Sequence, residues 1–149
     1  MSGTLVVTCK HARLFRDTEF IGKMDPYVIV ELGAIKKKTK THNSGGKKPQ
    51  WDETFKFQRK AETEITFTVM DEDVTSDDHV GSGTLFLDDI FKKGKFKDFI
   101  KLQYKGKEAG QLFVEIEWLG AGGGGTVGQV VYMQNPLMNQ MAMGLQQQY

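Results

Sequence analysis

The chain has 149 residues, 39% of them hydrophobic and 26% charged, with a formal net charge of +1. That is enough apolar material for the core of one domain, and no run nears the roughly 18 apolar residues that a membrane-spanning helix requires. The near-neutral total hides segregation: Lys36–Lys40 is mostly lysine and Asp71–Asp78 largely acidic, so partners are read from local charge rather than from the sum.

Taken in chain order, the apolar residues recur with a period of two and breakers come often, which predicts strands rather than amphipathic helices. Strands are expected near Thr4–Cys9, Tyr27–Leu32, Lys36–Thr41, Trp51–Phe57, Glu64–Met70, Gly83–Leu87, Phe99–Gln103 and Gln111–Trp118. One short helical turn is expected at Asp88–Lys93, with Asp88 as its N-cap. Eight short strands in about 118 residues predict an all-β, eight-stranded antiparallel β-sandwich. Cys9 shares a strand face with Leu5 and Val7, so a buried, inert thiol is expected. With no second cysteine it cannot pair within the chain, which favours a reducing, cytoplasmic setting. The first residues lack a basic segment followed by an apolar run, and no myristoylation or prenylation signal is visible, so any membrane contact is expected to be peripheral.

The last charged residue is Glu117, after which the composition turns to Gly, Gln and Met. The expected domain therefore covers residues 1–118, and 119–149 reads as a flexible tail without the periodicity that folds. Its Met133, Met138, Met141 and Met143 offer adaptable apolar contacts, and a protein partner is expected there if the tail has one.

Two acidic segments carry the chemistry. The first runs from Arg16 to Tyr27 and contains Asp17, Glu19 and Asp25; the second runs from Met70 to Gly81 and contains Asp71, Asp73, Asp77 and Asp78. Each lies where a strand meets a loop. If both loops emerge at one end of a sandwich, the carboxylates repel one another until a cation intervenes. Calcium takes six to eight oxygens in irregular geometry, which flexible loops can supply, whereas magnesium demands a tighter octahedron. An EF-hand loop starting at Asp71 fails, because its sixth and twelfth positions hold Ser76 and Ser82 rather than glycine and glutamate.

The segments Leu5-Val6-Val7, Asp25-Pro26-Tyr27-Val28, Pro49-Gln50-Trp51-Asp52-Glu53-Thr54-Phe55 and Met70-Asp71-Glu72-Asp73, closing with Gly81, resemble the calcium-dependent lipid-binding C2 domain over about residues 3–118. The likeness is to the small single-domain versions of plants and protists. It implies the permuted (type II) topology, in which the Gln111–Trp118 strand fills the place vacated before Leu5-Val6-Val7. It also implies calcium ligands at Glu19, where the family usually has Asp, and at Asp25, Asp71, Asp73 and Asp78, with Asp17 and Asp77 as alternatives.

Lys36, Lys38 and Lys40 would share one strand face, with Lys56 beside them, and the resemblance implies that this face holds anionic lipids in some members. A solvated edge guarded by lysines is the competing reading. Phe20, Ile21 and Val74 are the apolar loop residues placed to enter a headgroup layer. No aromatic residue interleaves with the lysines, which points away from nucleic acid. His11, His42 and His79 accompany no nucleophile elbow, zinc helix or phosphate loop, which points away from an enzyme. The expected function is calcium-regulated docking to an anionic phospholipid surface. The alternative is a calcium-independent protein-interaction module using the lysine face or the tail.

Overall fold

A computed structural model describes residues 2–120. Its strands are β1 (Gly3–Leu14), β2 (Pro26–Leu32), β3 (Ile35–Lys38), β4 (Gln50–Arg59), β5 (Glu64–Asp71), β6 (Asp78–Phe86), β7 (Lys95–Tyr104) and β8 (Lys107–Gly120), with one helix, α1 (Asp88–Lys93). Residues 121–149, most of the expected tail, lie outside the described residues.

The strands follow the order β3-β2-β5-β6-β7-β8-β1-β4. Between β6 and β7 a single residue pair, Ser82 with Gln103, is in register, so the order divides there into two four-stranded halves of an antiparallel β-sandwich. β8 lies between β7 and β1, the place that the permuted topology assigns to it.

The described residues form two compact units. One contains residues 2–5, 58–61 and 118–120; the other contains 6–57 and 62–117. In the smaller unit the Thr4 hydroxyl donates to Gln58 at 3.4 Å, and the Arg59 guanidinium lies 5.8 Å from the Trp118 ring. The larger unit holds most of the core, where alternate residues of β1, β2, β5 and β8 point inward. Val7 and Cys9 of β1, Val28 and Val30 of β2, Phe67 and Val69 of β5, and Leu112 and Val114 of β8 are all fully buried. A buried side chain of this size contributes about 1.5–3 kcal/mol of hydrophobic stabilisation. Burial, and secondarily the charge of Glu53, push the Cys9 thiol up to about 12, so it behaves as a small hydrophobe.

Strand boundaries differ from the sequence expectation where local chemistry intervenes. β6 begins at Asp78 rather than near Gly83. Gly81 and Gly83 look like breakers but serve close packing instead. A Cβ on Gly83 would lie 2.3 Å from the Lys101 carbonyl oxygen, and one on Gly81 would lie 2.8 Å from the Ala109 Cβ. β3 stops at Lys38 rather than Thr41. Next to it the Thr39 hydroxyl accepts the Val28 N–H at 2.9 Å, while its own N–H donates to the Val28 carbonyl at 2.9 Å, so a side chain replaces a ladder partner. The helix covers its expected span, yet its N-cap is Leu87, without a side-chain capping bond; Asp88 is instead the first helical residue, where its charge complements the helix N-terminus.

Candidate metal centre

Strand register builds the site. Pro26 of β2 is paired with Asp71 of β5, and Asp71 is paired with Asp78 of β6 after a register shift at Val69/Met70. Asp25, immediately before Pro26, is thereby carried to the end of β5. The chain between β1 and β2 (loop 1), between β3 and β4 (loop 2) and between β5 and β6 (loop 3) all start or finish at this end.

Hydrogen bonds then lock the loops to one another. Asp71 is completely buried, and its carboxylate accepts the Thr18 hydroxyl and the Asp25 N–H, each at 2.7 Å. The Glu72 N–H donates to the Asp25 carbonyl at 2.9 Å, tying loop 3 to loop 1. From loop 2 the Ser44 N–H donates to the Asp25 carboxylate at 2.7 Å, and the Thr41 hydroxyl donates to Glu72. Buried polar groups with such partners resist displacement, because losing a partner costs about 1–3 kcal/mol.

Within this frame, carboxylate oxygens of Glu19, Asp73 and Asp78 lie within 4.8 Å of one another. The Glu19 carboxyl is pushed up to about 7, chiefly by a hydrogen bond to Asp71 and the Asp71 charge, with Asp73 and Asp25 adding to the effect. Asp71, Asp73 and Asp25 thus act on Glu19, Asp78 lies in the same cluster, and a proton on Glu19 relieves part of the repulsion. The donor set is all oxygen and spread over two loops, which fits calcium. With about four lone-pair sites, the Asp71 carboxylate still has acceptor capacity beyond its bonds with Thr18, Asp25 and Glu19.

The two alternative ligands each have hydrogen-bond partners of their own. Asp17 accepts the Glu19 N–H at 3.0 Å in a local turn. Asp77 accepts the Asp73 N–H at 2.9 Å and the Tyr27 hydroxyl, and Tyr27 holds its carboxyl below the usual range. Asp77 therefore braces loop 3, and Asp78 joins the cluster. Thr18, Ser44 and Tyr27 were not singled out from the sequence; only Tyr27 carried a signal, through its place in the Asp-Pro-Tyr step.

The three apolar loop residues point to solvent. Phe20 is 100% exposed, Ile21 84% and Val74 98%. Lys36, Lys38 and Lys40 are also exposed; Lys36 faces Glu31 at 3.8 Å and Lys38 lies 5.3 Å from the Tyr27 ring, while at Lys40 it is the backbone N–H that donates to Glu53 at 3.0 Å. The lysine that reaches β4 is Lys37, whose Nζ donates to the Lys56 carbonyl at 2.6 Å, while Lys56 itself is exposed on β4. A groove of about 730 Å³ between β6 and β7, lined by Leu85, Phe96 and Ile100 among others, lies away from the acids.

Comparison with known proteins agrees with this architecture. The C2 domain family model matches residues 3–102, about two thirds of the chain, and the chain belongs to the C2 domain family. Among curated relatives, elicitor-responsive protein 3 of Oryza sativa subsp. japonica is 33% identical over 96 residues, spanning 63% of this chain and 67% of the relative. The 16 kDa phloem protein 2 of Arabidopsis thaliana is 36% identical over 94 residues, spanning 62% of this chain and 64% of the relative. A solved C2 domain-containing protein from an elicitor-responsive gene superposes with a TM-score of 0.73 at 29% identity, covering 84% of this chain and 94% of that one.

Proposed function

We propose that this C2 domain binds anionic phospholipid membranes under the control of calcium and carries out no catalysis. The observation that carries this reading is the convergence of Glu19, Asp73 and Asp78 within 4.8 Å, beside the Asp25 and Asp71 charges. Self-repelling acids on hydrogen-bonded loops form a cage that a divalent cation relieves.

Glu19, Asp73 and Asp78 would hold the ion, with Asp25 and Asp71 completing the oxygen shell. The bound ion supplies positive charge and open coordination positions for lipid phosphate. Asp71 sets the spacing of loops 1 and 3 through its bonds to Thr18 and Asp25. Asp77 holds loop 3 closed against Tyr27. Phe20, Ile21 and Val74, almost wholly exposed, enter the headgroup region once the acids beside them are neutralised. Lys36, Lys38 and Lys40 add a sequence-local positive field worth about 1 kcal/mol per lysine near an anionic leaflet. The protein then divides between the cytoplasm and a membrane surface according to calcium.

Cosedimentation with phosphatidylcholine–phosphatidylserine vesicles tests this directly. The protein is expected in the pellet with calcium and in the supernatant with chelator. Equal partitioning in the two conditions would leave the calcium-independent protein-interaction module as the better reading.

A further inference from the structure

Beside the acidic cluster the fold assembles a second group of opposite sign. Arg16 opens loop 1, and its guanidinium carbon lies 3.8 Å from the centroid of the Tyr104 ring. Its Nη2 donates to the His79 carbonyl at 3.3 Å, and its backbone N–H reaches the Ala109 carbonyl at 3.4 Å. The His79 ring meets Tyr104 edge-on at 5.3 Å. Lys105 sits in the β7–β8 turn with a positive φ of 50°, and its Nζ lies 5.3 Å from the same ring. Two cations from separate elements therefore share one aromatic platform.

Neither cation has an acid. Among the described residues, Arg16 and Lys105 have no ion pair of the kind that joins Lys10 to Asp52 and Lys36 to Glu31. Asp17, next to Arg16 in sequence, accepts the Glu19 N–H, and Asp78, next to His79, joins the acidic cluster. The Arg16 Nε is buried with no hydrogen-bond partner. A guanidinium has five N–H donors in a fixed fork, and the described structure supplies an acceptor to Nη2 alone. Stacking on an aromatic face fixes the plane of the fork, and with Nε buried the Nη1–Nη2 edge is the one left for a bidentate acceptor.

We propose that Arg16 and Lys105, mounted on Tyr104 and flanked by His79, form a binding site for a phosphate monoester, supplied by a lipid headgroup at the membrane surface. The proposal rests on the membrane reading for the source of the phosphate, since Phe20 and Ile21 of the same loop are the exposed residues that enter the headgroup region. The monoester is favoured over a diester by charge. A monoester carries roughly −1.5 to −2 near neutral pH and so answers two unpaired cations, whereas a diester carries a single charge. The fork of Arg16 matches two phosphate oxygens, and Lys105 acts as a point charge beside it.

The experiment has two arms. In the first, calcium-loaded protein is titrated with phosphatidylcholine vesicles containing either phosphatidic acid or phosphatidylglycerol at equal surface charge. Wild type is expected to prefer phosphatidic acid. Lys105→Gln, at an exposed turn, and Arg16→Gln are each expected to cut that preference about fivefold, the effect of roughly 1 kcal/mol per cation; Arg16→Lys should restore part of it. In the second arm, calcium-free protein is titrated with soluble glycerol phosphate while the Tyr104 ring and Lys105 amide signals are followed by NMR. Shifts in both signals that vanish in Lys105→Gln support the site, and shifts without a vesicle preference assign it to a soluble monoester. No shift together with no preference overturns the proposal. Failure of wild type to bind any anionic vesicle in calcium would overturn the membrane reading separately, with the soluble arm still deciding the site.

Discussion

The acidic loops and the lysine strand are both runs of like charge, and the fold treats them in opposite ways. In the loops, register and hydrogen bonding press Glu19, Asp73 and Asp78 to within 4.8 Å, and Glu19 is pushed up to about 7 by its hydrogen bond to Asp71 and the Asp71 charge. On β3 the lysines are dispersed: Lys36 faces Glu31, Lys37 bonds to the Lys56 carbonyl and Lys38 lies near the Tyr27 ring. The first arrangement concentrates negative charge. The second is largely satisfied by its neighbours. A ligand should therefore change the loops greatly and the strand little, and the two regions are separable by mutation.

The largest expected effect comes from removing loop charge. Asp73→Asn combined with Asp78→Asn keeps the shapes and deletes two of the three converging carboxylates. Calcium-dependent pelleting with vesicles should disappear. Calcium at a hundredfold excess over its dissociation constant should stabilise wild type by about 2.7 kcal/mol and the double variant hardly at all, read as the shift in melting temperature. An undiminished shift in the variant would mean that these acids merely solvate loop 3.

The lysines come next. Lys36→Ala, Lys38→Ala and Lys40→Ala together should weaken binding to anionic vesicles by up to about 3 kcal/mol, from about 1 kcal/mol per lysine, and flatten its salt dependence. The calcium-induced melting shift in solution should stay at the wild-type value. If vesicle binding is unchanged at physiological salt, the strand is a solvated edge and the contrast with the loops is complete.

How far the sequence revealed this molecule depends on which forces set each feature. The fold was legible because alternation writes burial directly: Val7 and Cys9, or Phe67 and Val69, are two apart and share the core. The clustering of Asp25 with Asp71 was legible through the Asp-Pro-Tyr and Asp-Glu-Asp steps at strand ends. What the sequence left open was decided by contacts between distant residues. Whether Asp77 or Asp78 joins the cluster turns on the Tyr27 hydroxyl, fifty residues away, which takes Asp77. Thr18 and Ser44 look like ordinary loop residues until Asp71 and Asp25 accept their protons. The early start of β6 was hidden because Gly81 read as the close of the acidic loop, whereas the approach of Ala109 requires a glycine there within the strand.

A smaller effect sharpens the account of the loops through pH. Glu19 has a folded-state value of about 7 against 4.5 for an ordinary glutamate, so the calcium-free fold binds its proton more tightly than the unfolded chain does. A raised value contributes stability that is fully present below about 4.5 and is lost as pH rises through about 7. In calcium-free buffer, Glu19→Gln should therefore gain on wild type in melting temperature between pH 5 and 8 (roughly the window of that titration). A constant difference across the window would show that Glu19 does not share a proton with Asp71.

The smallest expected effect concerns the chain beyond the described residues. We propose that the domain is complete without 121–149, and that truncation after Gly120 leaves folding, the calcium-induced melting shift and vesicle binding at wild-type values. The reasoning lies in β8 and the site. The last β7–β8 register pair is Lys95 with Glu117, Ile116 is the last core side chain of β8, and every acid of the cluster falls between Glu19 and Asp78. The removed segment contains no Asp, Glu, Lys or Arg, so the electrostatic balance between loops and lysines is untouched. Its methionines would then serve a partner protein rather than the sandwich. A drop in melting temperature on truncation would move the domain boundary past Gly120, and an altered calcium shift at constant stability would tie the tail to the acidic loops.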